Sequence, residues 1–193
     1  MIILNHQKTF WENANSPDIH LFELTPTAKN APSICAAVST QGNTLQLSYQ
    51  VHSCDWFNTL NSECTNPARK DFLWEGHCLE CFFKLQGDDK RYFELNYSMG
   101  EFYNLYQFDD YRTPSHLPPV RAGGKLVVAQ SDVDDTETVK YYHLSVTLDD
   151  IANMTIGKIN PTAILYRDGA PIFYAAQHAD PPDFHDKAFW RDI

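Results

Sequence analysis

The sequence predicts an all-β protein, an antiparallel sandwich or barrel in which residues 1–193 form a single domain. Three observations predict this class. Apolar and polar residues alternate with a period of two in many short segments, polar glycine-bearing turns separate those segments, and amphipathic helical patterns are nearly absent. Evenly spaced short strands of this kind are typical of sandwiches and barrels. No internal repeat or linker divides the chain, and its length is enough for one hydrophobic core.

The clearest strand pattern is 44–51, where Leu45, Leu47, Tyr49 and Val51 share one face and polar residues occupy the other. The turn Gln-Gly-Asn before it joins it to the preceding strand as a hairpin. Longer connections at 53–70 and 113–124 carry prolines and are interpreted as excursions at the ends of the sheets. In chain order the predicted strands are 20–24 as a candidate edge strand, 34–39, 44–51, 79–85, 92–98, 102–108, 125–130, 139–148, 163–167 and 172–176.

Charge excludes some partners. The chain has 15 Lys+Arg against 25 Asp+Glu, a formal net charge of -10. Binding to nucleic acid or to an anionic membrane surface depends on clustered Lys and Arg, so we expect neither partner. The apolar stretch at the start of the sequence ends at Leu4, too early for the apolar region of a signal peptide, and no run is long enough to span a membrane. We therefore expect a cytoplasmic protein with reduced thiols.

The most informative segment is 71–112, which contains three predicted strands. Sorting each strand by parity gives one uniformly apolar face and one mixed face. Carboxylates, amides and aromatic rings on one sheet face are typical of sugar sites, because polar groups bind hydroxyls and ring faces cover C–H patches. A solvated face or a buried polar network that only fixes the fold is the alternative interpretation. The mixed face carries Glu80, Glu94, Asn96, Asn104 and Tyr106.

Four stretches of the chain resemble a known family. They are D-F-L-W-E-G-H-C-L-E-C-F-F at 71–83, Y-F-E-L-N-Y-S at 92–98, Y-Q-F-D-D-Y-R at 106–112 and A-D-P-P-D-F-H-D-K-A-F at 179–189. Together they resemble the bacterial DOMON-like domains related to type 9 carbohydrate-binding modules. Met99 and Asp110 depart from the family pattern, which has Pro and Gly there. The resemblance implies a jelly-roll-like β-sandwich that binds a ligand, usually a sugar or haem.

Other groups of residues in the sequence have spacings that suggest metal, redox or catalytic chemistry. Cys78 and Cys81 have the C-x-x-C spacing, but on a strand they point to opposite faces, so we expect buried thiols and no metal. Glu80 and Glu94 could serve as the acid and nucleophile of a carbohydrate-active hydrolase. Asp109 and Asp110 could hold calcium, and 181–185 could close one side of a pocket or simply anchor the C-terminal segment. Candidate axial ligands for haem are His77, His143, His178 and Met99.

The sequence therefore predicts a non-catalytic ligand-binding sandwich that recognises a carbohydrate or related polyol. A hydrolase that uses the Glu80/Glu94 pair and a haem-binding domain remain alternatives, and the cofactor and oligomeric state stay open. Trp74 and Tyr111 are expected to stack on the sugar, and the other residues to contact its hydroxyls. The predicted ligand-binding residues are Trp74, Glu80, Glu94, Asn96, Tyr106, Tyr111 and Arg112.

Overall fold

A computed structural model describes residues 18–57, 64–129, 138–149, 151 and 153–193. Within those residues the chain forms twelve strands and two short 3-10 turns, Leu73–Glu75 and Lys187–Phe189, and no α-helix. The strands are β1 (His20–Pro26), β2 (Ile34–Gln41), β3 (Thr44–His52), β4 (Ala68–Arg69), β5 (Cys78–Leu85), β6 (Tyr92–Tyr97), β7 (Phe102–Phe108), β8 (Gly124–Ala129), β9 (Val139–Leu148), β10 (Ile156–Arg167), β11 (Ala170–Ala175) and β12 (Arg191–Asp192).

The strands form one curled sheet in the order β4-β7-β6-β5-β10-β11-β1-β2-β3-β9-β8, and β12 pairs with β10. The sheet is mixed, because the short β4 pairs with β7 in parallel while the other pairs are antiparallel. Strand β1 connects the two halves of the sheet, because it pairs with a strand of each half. Its residues 20–24 pair with β2, whereas Thr25 and Pro26 pair with β11.

The two halves of the sheet share one hydrophobic core. A single cluster of buried residues takes side chains from β2, β3 and β9 on one side and from β5, β6 and β10 on the other. A direct contact joins the halves, since the Tyr49 hydroxyl on β3 donates to the backbone carbonyl of Glu80 on β5. The inner residues of β5 include Leu79, Cys81 and Phe83, which are the apolar parity set that the sequence predicts.

The predicted all-β class is confirmed, and the sandwich and jelly-roll arrangement stays a prediction. Two strand predictions differ from the structure. Strand β10 begins at Ile156, whereas the sequence predicts a start at residue 163. The strands β5 and β11 flank this central strand and most of its residues are buried, so the sequence lacks the apolar and polar alternation that would have revealed its first half. Strand β1 is paired to both halves instead of forming an edge. Residues 1–17, 58–63, 130–137, 150 and 152 lie outside the described part of the chain.

No helix in the described ranges is both long enough and apolar enough to cross a membrane.

Candidate functional site

The site lies on the outer face of β10, β5, β6 and β7, the face turned away from the core. Strand register places polar side chains in two neighbouring cross-strand rows on this face. All of these side chains except the Phe82 ring are polar or carry a hydroxyl, and all are buried. The first row is Thr162, Glu80, Asn96 and Asn104, and the second is Asn160, Phe82, Glu94 and Tyr106.

Two connecting segments stand over this face and enclose a cavity of about 460 Å³. One is the proline-bearing connection after β7, residues 114–119, and the other is the C-terminal segment 182–185. The floor carries the two glutamates, and the walls carry aromatic rings together with Ile164 from β10. The lining aromatic and histidine side chains are Trp74, Phe82, Phe108, His116, Phe173, Phe184 and His185.

Glu94 is held in the floor with one carboxylate oxygen bound and one facing the wall. The Asn96 side-chain amide donates to Oε1 of Glu94 at 2.8 Å. The other oxygen, Oε2, lies 3.8 Å from Nε2 of His185, which is beyond hydrogen-bond distance. Burial raises the pKa of Glu94 to about 7, although the Asn96 hydrogen bond and the Arg112 charge oppose that rise. Glu94 therefore changes protonation near neutral pH.

Glu80 lies on the neighbouring strand, one residue pair away along a diagonal, since Glu80 pairs with Asn96 and Glu94 pairs with Phe82. Burial, and then repulsion from Glu94, raise the pKa of Glu80 well above its ordinary value. The Cys78 thiol hydrogen-bonds the Glu80 carboxyl and acts in the opposite direction. Burial therefore favours the protonated form of Glu80.

His185 is kept neutral and oriented by its neighbours. The backbone N–H of Arg112 donates to the Tyr92 hydroxyl oxygen at 3.1 Å, and that hydroxyl lies 2.7 Å from Nδ1 of His185. The hydroxyl hydrogen is then directed to Nδ1, which leaves the imidazole proton on Nε2 facing Glu94. Burial, and then the Arg112 charge, lower the pKa of His185 to about 3.

The rim of the cavity is fastened by Asp183 of the C-terminal segment. One carboxylate oxygen accepts from Arg112 Nη2 at 2.8 Å and from the backbone N–H of His185 at 3.0 Å, and the other accepts from the Tyr111 hydroxyl at 2.5 Å. This ion pair is partly exposed, so it contributes at most modestly to stability. Its effect on the site is to neutralise the guanidinium that lines the cavity.

A second polar cluster lies beside the cavity, and its side chains hydrogen-bond one another. Asp71 accepts from the side chains of Asn104, Tyr106 and Arg121, and these bonds hold the pKa of Asp71 below its ordinary value. The Tyr106 ring supports Trp74, with ring centroids 5.9 Å apart in an edge-to-face arrangement. This cluster fixes the wall that carries Trp74.

The structure brings together four of the seven residues that the sequence predicts as ligand-binding. Trp74, Glu80, Glu94 and Arg112 line the same cavity. The other three lie behind it or outside it, in supporting positions: Asn96 binds Glu94, Tyr106 binds Asp71, and the half-exposed Tyr111 binds Asp183.

Sequence reasoning missed the contributions of β10 and of the connection after β7. Asn160, Thr162 and Ile164 belong to a strand that was predicted to start at residue 163. The signal that could have found Thr162 is its place in a polar break within an otherwise apolar run. The described residues of 53–70 do not line the cavity, whereas Pro114 and Pro119 of the connection after β7 do.

The other predicted constellations lie elsewhere. His77 accepts from the Tyr166 backbone N–H, His178 bonds the Thr25 carbonyl, and Met99 is buried in the core, so these candidate haem ligands do not line the cavity, nor does His143. No disulfide joins the five cysteines. Within the described ranges no group of three or more His, Cys, Asp or Glu could hold a metal ion.

Comparison with known proteins gives a likeness of fold. No family model matches the chain, and no curated protein matches it. A solved structure described as that of "a putative carbohydrate-binding protein" from Bacteroides uniformis is similar, with a TM-score of 0.60 and 14% sequence identity. The similarity covers 98% of this chain and 92% of that chain. At this identity the likeness shows that the two chains share a fold.

Proposed function

We propose that this protein binds a carbohydrate or related polyol in the cavity of the outer face, without changing it chemically. The observation that carries the proposal is the composition of that cavity, which places two buried carboxyl groups on the floor and aromatic rings on the walls. Carboxyl groups can pair with hydroxyls while rings cover the apolar face of a sugar ring. A largely preformed concave site of this volume is typical of small-molecule binding.

Two further observations support the proposal. The similar solved protein from Bacteroides uniformis is described as a putative carbohydrate-binding protein, and its fold matches over nearly the whole chain. The four stretches of sequence described above resemble DOMON-like domains related to type 9 carbohydrate-binding modules. Membership of that group, a jelly-roll sandwich architecture and a cytoplasmic location are parts of the proposal.

Isothermal titration with a panel of neutral hexoses and polyols tests binding directly. Replacing the wall residue in Trp74→Ala is expected to weaken binding about tenfold, the effect of losing one stacking ring. Trp56→Ala is the matched control, since Trp56 is half-buried outside the cavity and its indole N–H donates to the Asn30 carbonyl. No binding by any member of the panel would contradict the proposal, as would equal weakening by the two variants.

A second candidate function is glycoside hydrolysis. It is favoured by one observation, that two glutamates with raised pKa values share one cavity, because a glycosidase needs a protonated acid beside a second carboxylate. Release of p-nitrophenol from p-nitrophenyl glycosides, measured for the natural chain and for Glu80→Gln, separates the candidates. A hydrolase loses turnover by orders of magnitude in the variant, whereas a binding module shows no turnover and a modest change in affinity.

A haem role is not proposed, because the four candidate axial ligands lie outside the cavity.

A further inference from the structure

We propose that the cavity selects a sugar that carries a protonated primary amine, and that the carboxyl groups of Glu80 and Glu94 hold its ammonium group. The inference deepens the proposed function and rests on it. It adds the charge class of the ligand, which the aromatic walls alone leave undetermined.

The floor offers a carboxylate acceptor that the protein does not use. Glu80 and Glu94 both line the cavity, and both side chains are buried. The Asn96 amide occupies Oε1 of Glu94, at 2.8 Å. The other oxygen, Oε2, lies 3.8 Å from Nε2 of His185, beyond hydrogen-bond distance, so it is open to a donor that a ligand brings.

An ammonium group matches this floor better than a hydroxyl does. It has three N–H donors and no acceptor, whereas each sugar hydroxyl brings one donor and two lone pairs. Because unpartnered buried acceptors cost free energy, a group that only donates satisfies the floor without adding lone pairs of its own.

The charges around the floor lead to the same ligand class. Arg112 is the only Lys or Arg among the described residues that line the cavity, and Asp183 already pairs with it. The remaining titratable lining groups are Glu80, Glu94, the neutral His185, and His116 of the connection after β7. An acidic sugar would find no unpaired guanidinium or ammonium there and would meet two carboxyl groups. A cationic ligand is instead attracted to these carboxyl groups and favours their ionised forms.

Titration calorimetry with matched sugars tests the inference. The probes are glucose, glucosamine, N-acetylglucosamine and glucuronate, together with the corresponding galacto and manno compounds. In at least one of the three series, we expect the amino sugar to bind about tenfold tighter than the neutral sugar, because close charge pairs in such sites are worth that much or more. The N-acetyl compound should lose this advantage, and the acidic sugar should bind weakest.

Proton release gives a second readout that packing alone would not produce. An ammonium beside Glu94 favours its ionised form, so a proton leaves the carboxyl for the buffer when the amino sugar binds near pH 7. Comparing heats in phosphate and HEPES measures this release. Tris is avoided, because it is itself an amine. The neutral sugar should release no proton.

Glu94→Gln should abolish the proton release and should lower the affinity for the amino sugar more than the affinity for the neutral sugar. Glu101→Gln is the matched control, because Glu101 is exposed in the β6–β7 turn. Glu80→Gln provides a second variant if Glu94→Gln folds poorly. Neutral sugars that bind as tightly as their amines would overturn this inference and leave the proposed function standing. Failure of every sugar would overturn the proposed function, and the inference with it.

Discussion

Glu94 and His185 face each other across 3.8 Å, and burial shifts their pKa values in opposite directions. The shift of Glu94 runs from an ordinary 4.5 up to about 7. The shift of His185 runs from an ordinary 6.5 down to about 3. Both shifts favour the neutral form, so each group makes folding depend on pH, but with opposite sign. Their contributions nearly cancel between about pH 5 and 7.

For Glu94, the folded chain keeps a proton that the unfolded chain loses between pH 4.5 and 7. Stability due to this group is therefore highest in acid and falls as pH rises. From about pH 5 to 7 the loss is about 2 kcal/mol. Relative to that of the natural chain, the free energy of unfolding of Glu94→Gln should therefore rise by about that much from pH 5 to pH 7. Urea unfolding at both pH values measures it. A constant difference between the two chains would contradict the raised pKa.

For His185, the unfolded chain gains a proton below pH 6.5 while the folded chain does not. Its contribution to stability therefore improves by about 2 kcal/mol from about pH 5 to 7. His185→Asn retains a polar group near Tyr92 but cannot be protonated. Its free energy of unfolding should therefore fall by about that much, relative to that of the natural chain, from pH 5 to pH 7. Urea unfolding at both pH values measures it, and a relative gain instead of a loss would refute the assignment.

Sequence parity alone could place Glu80, Glu94 and Asn96 on one face, because side chains alternate along a strand. It could not show that Tyr106 is turned to Asp71, since that bond depends on a loop conformation. The sequence also led us to expect that Tyr111 stacks on a ligand, whereas the Tyr111 hydroxyl donates to Asp183 on the rim. Contacts between residues 72 positions apart in the chain have no local signature.

At the scale of elements, the C-terminal segment 182–190 completes the site. The Trp190 indole N–H donates to the Phe184 carbonyl at 2.8 Å, and its ring packs on Phe82 and Tyr92. These residues belong to a second apolar cluster on the outer face, separate from the main core. The segment is therefore held by packing as well as by Asp183.

Trp190→Ala should reduce the free energy of unfolding by about 3–5 kcal/mol, because it removes a buried ring and leaves a cavity. Chemical denaturation measures the loss. Trp56→Ala serves as the comparison, with a smaller expected loss, since Trp56 is only partly buried. Equal losses would contradict the idea that the segment is packed as a structural wall.

Strand existence was predictable where one face contacts the core and the other is polar, as in β3 and β9. For β10 only the C-terminal part, 163–167, was predicted, because Gly157 and Pro161 interrupt the pattern of its first half and both faces are covered. The short strands β4 and β12 pair over two residues each, too few for any alternation to appear.

At the scale of the whole molecule, one core spans both halves of the sheet, and we therefore predict a single domain that unfolds cooperatively. Far-ultraviolet circular dichroism and tryptophan fluorescence should give coincident urea transitions. Two separate transitions would show that the halves unfold independently.

The floor and the C-terminal wall of the cavity come from different parts of the chain, and this separation predicts the order in which they fold. The floor comes from β5, β6 and β7, which adjoin one another along the chain and close only short loops. The C-terminal wall joins this floor through pairs such as Tyr92 and His185, which are 93 residues apart. Loop closure over that distance is entropically costly, so we expect the floor to form earlier in folding than the wall. Ligand binding by refolding chains should then lag behind the formation of sheet structure, and the delay reports the time at which the last wall docks.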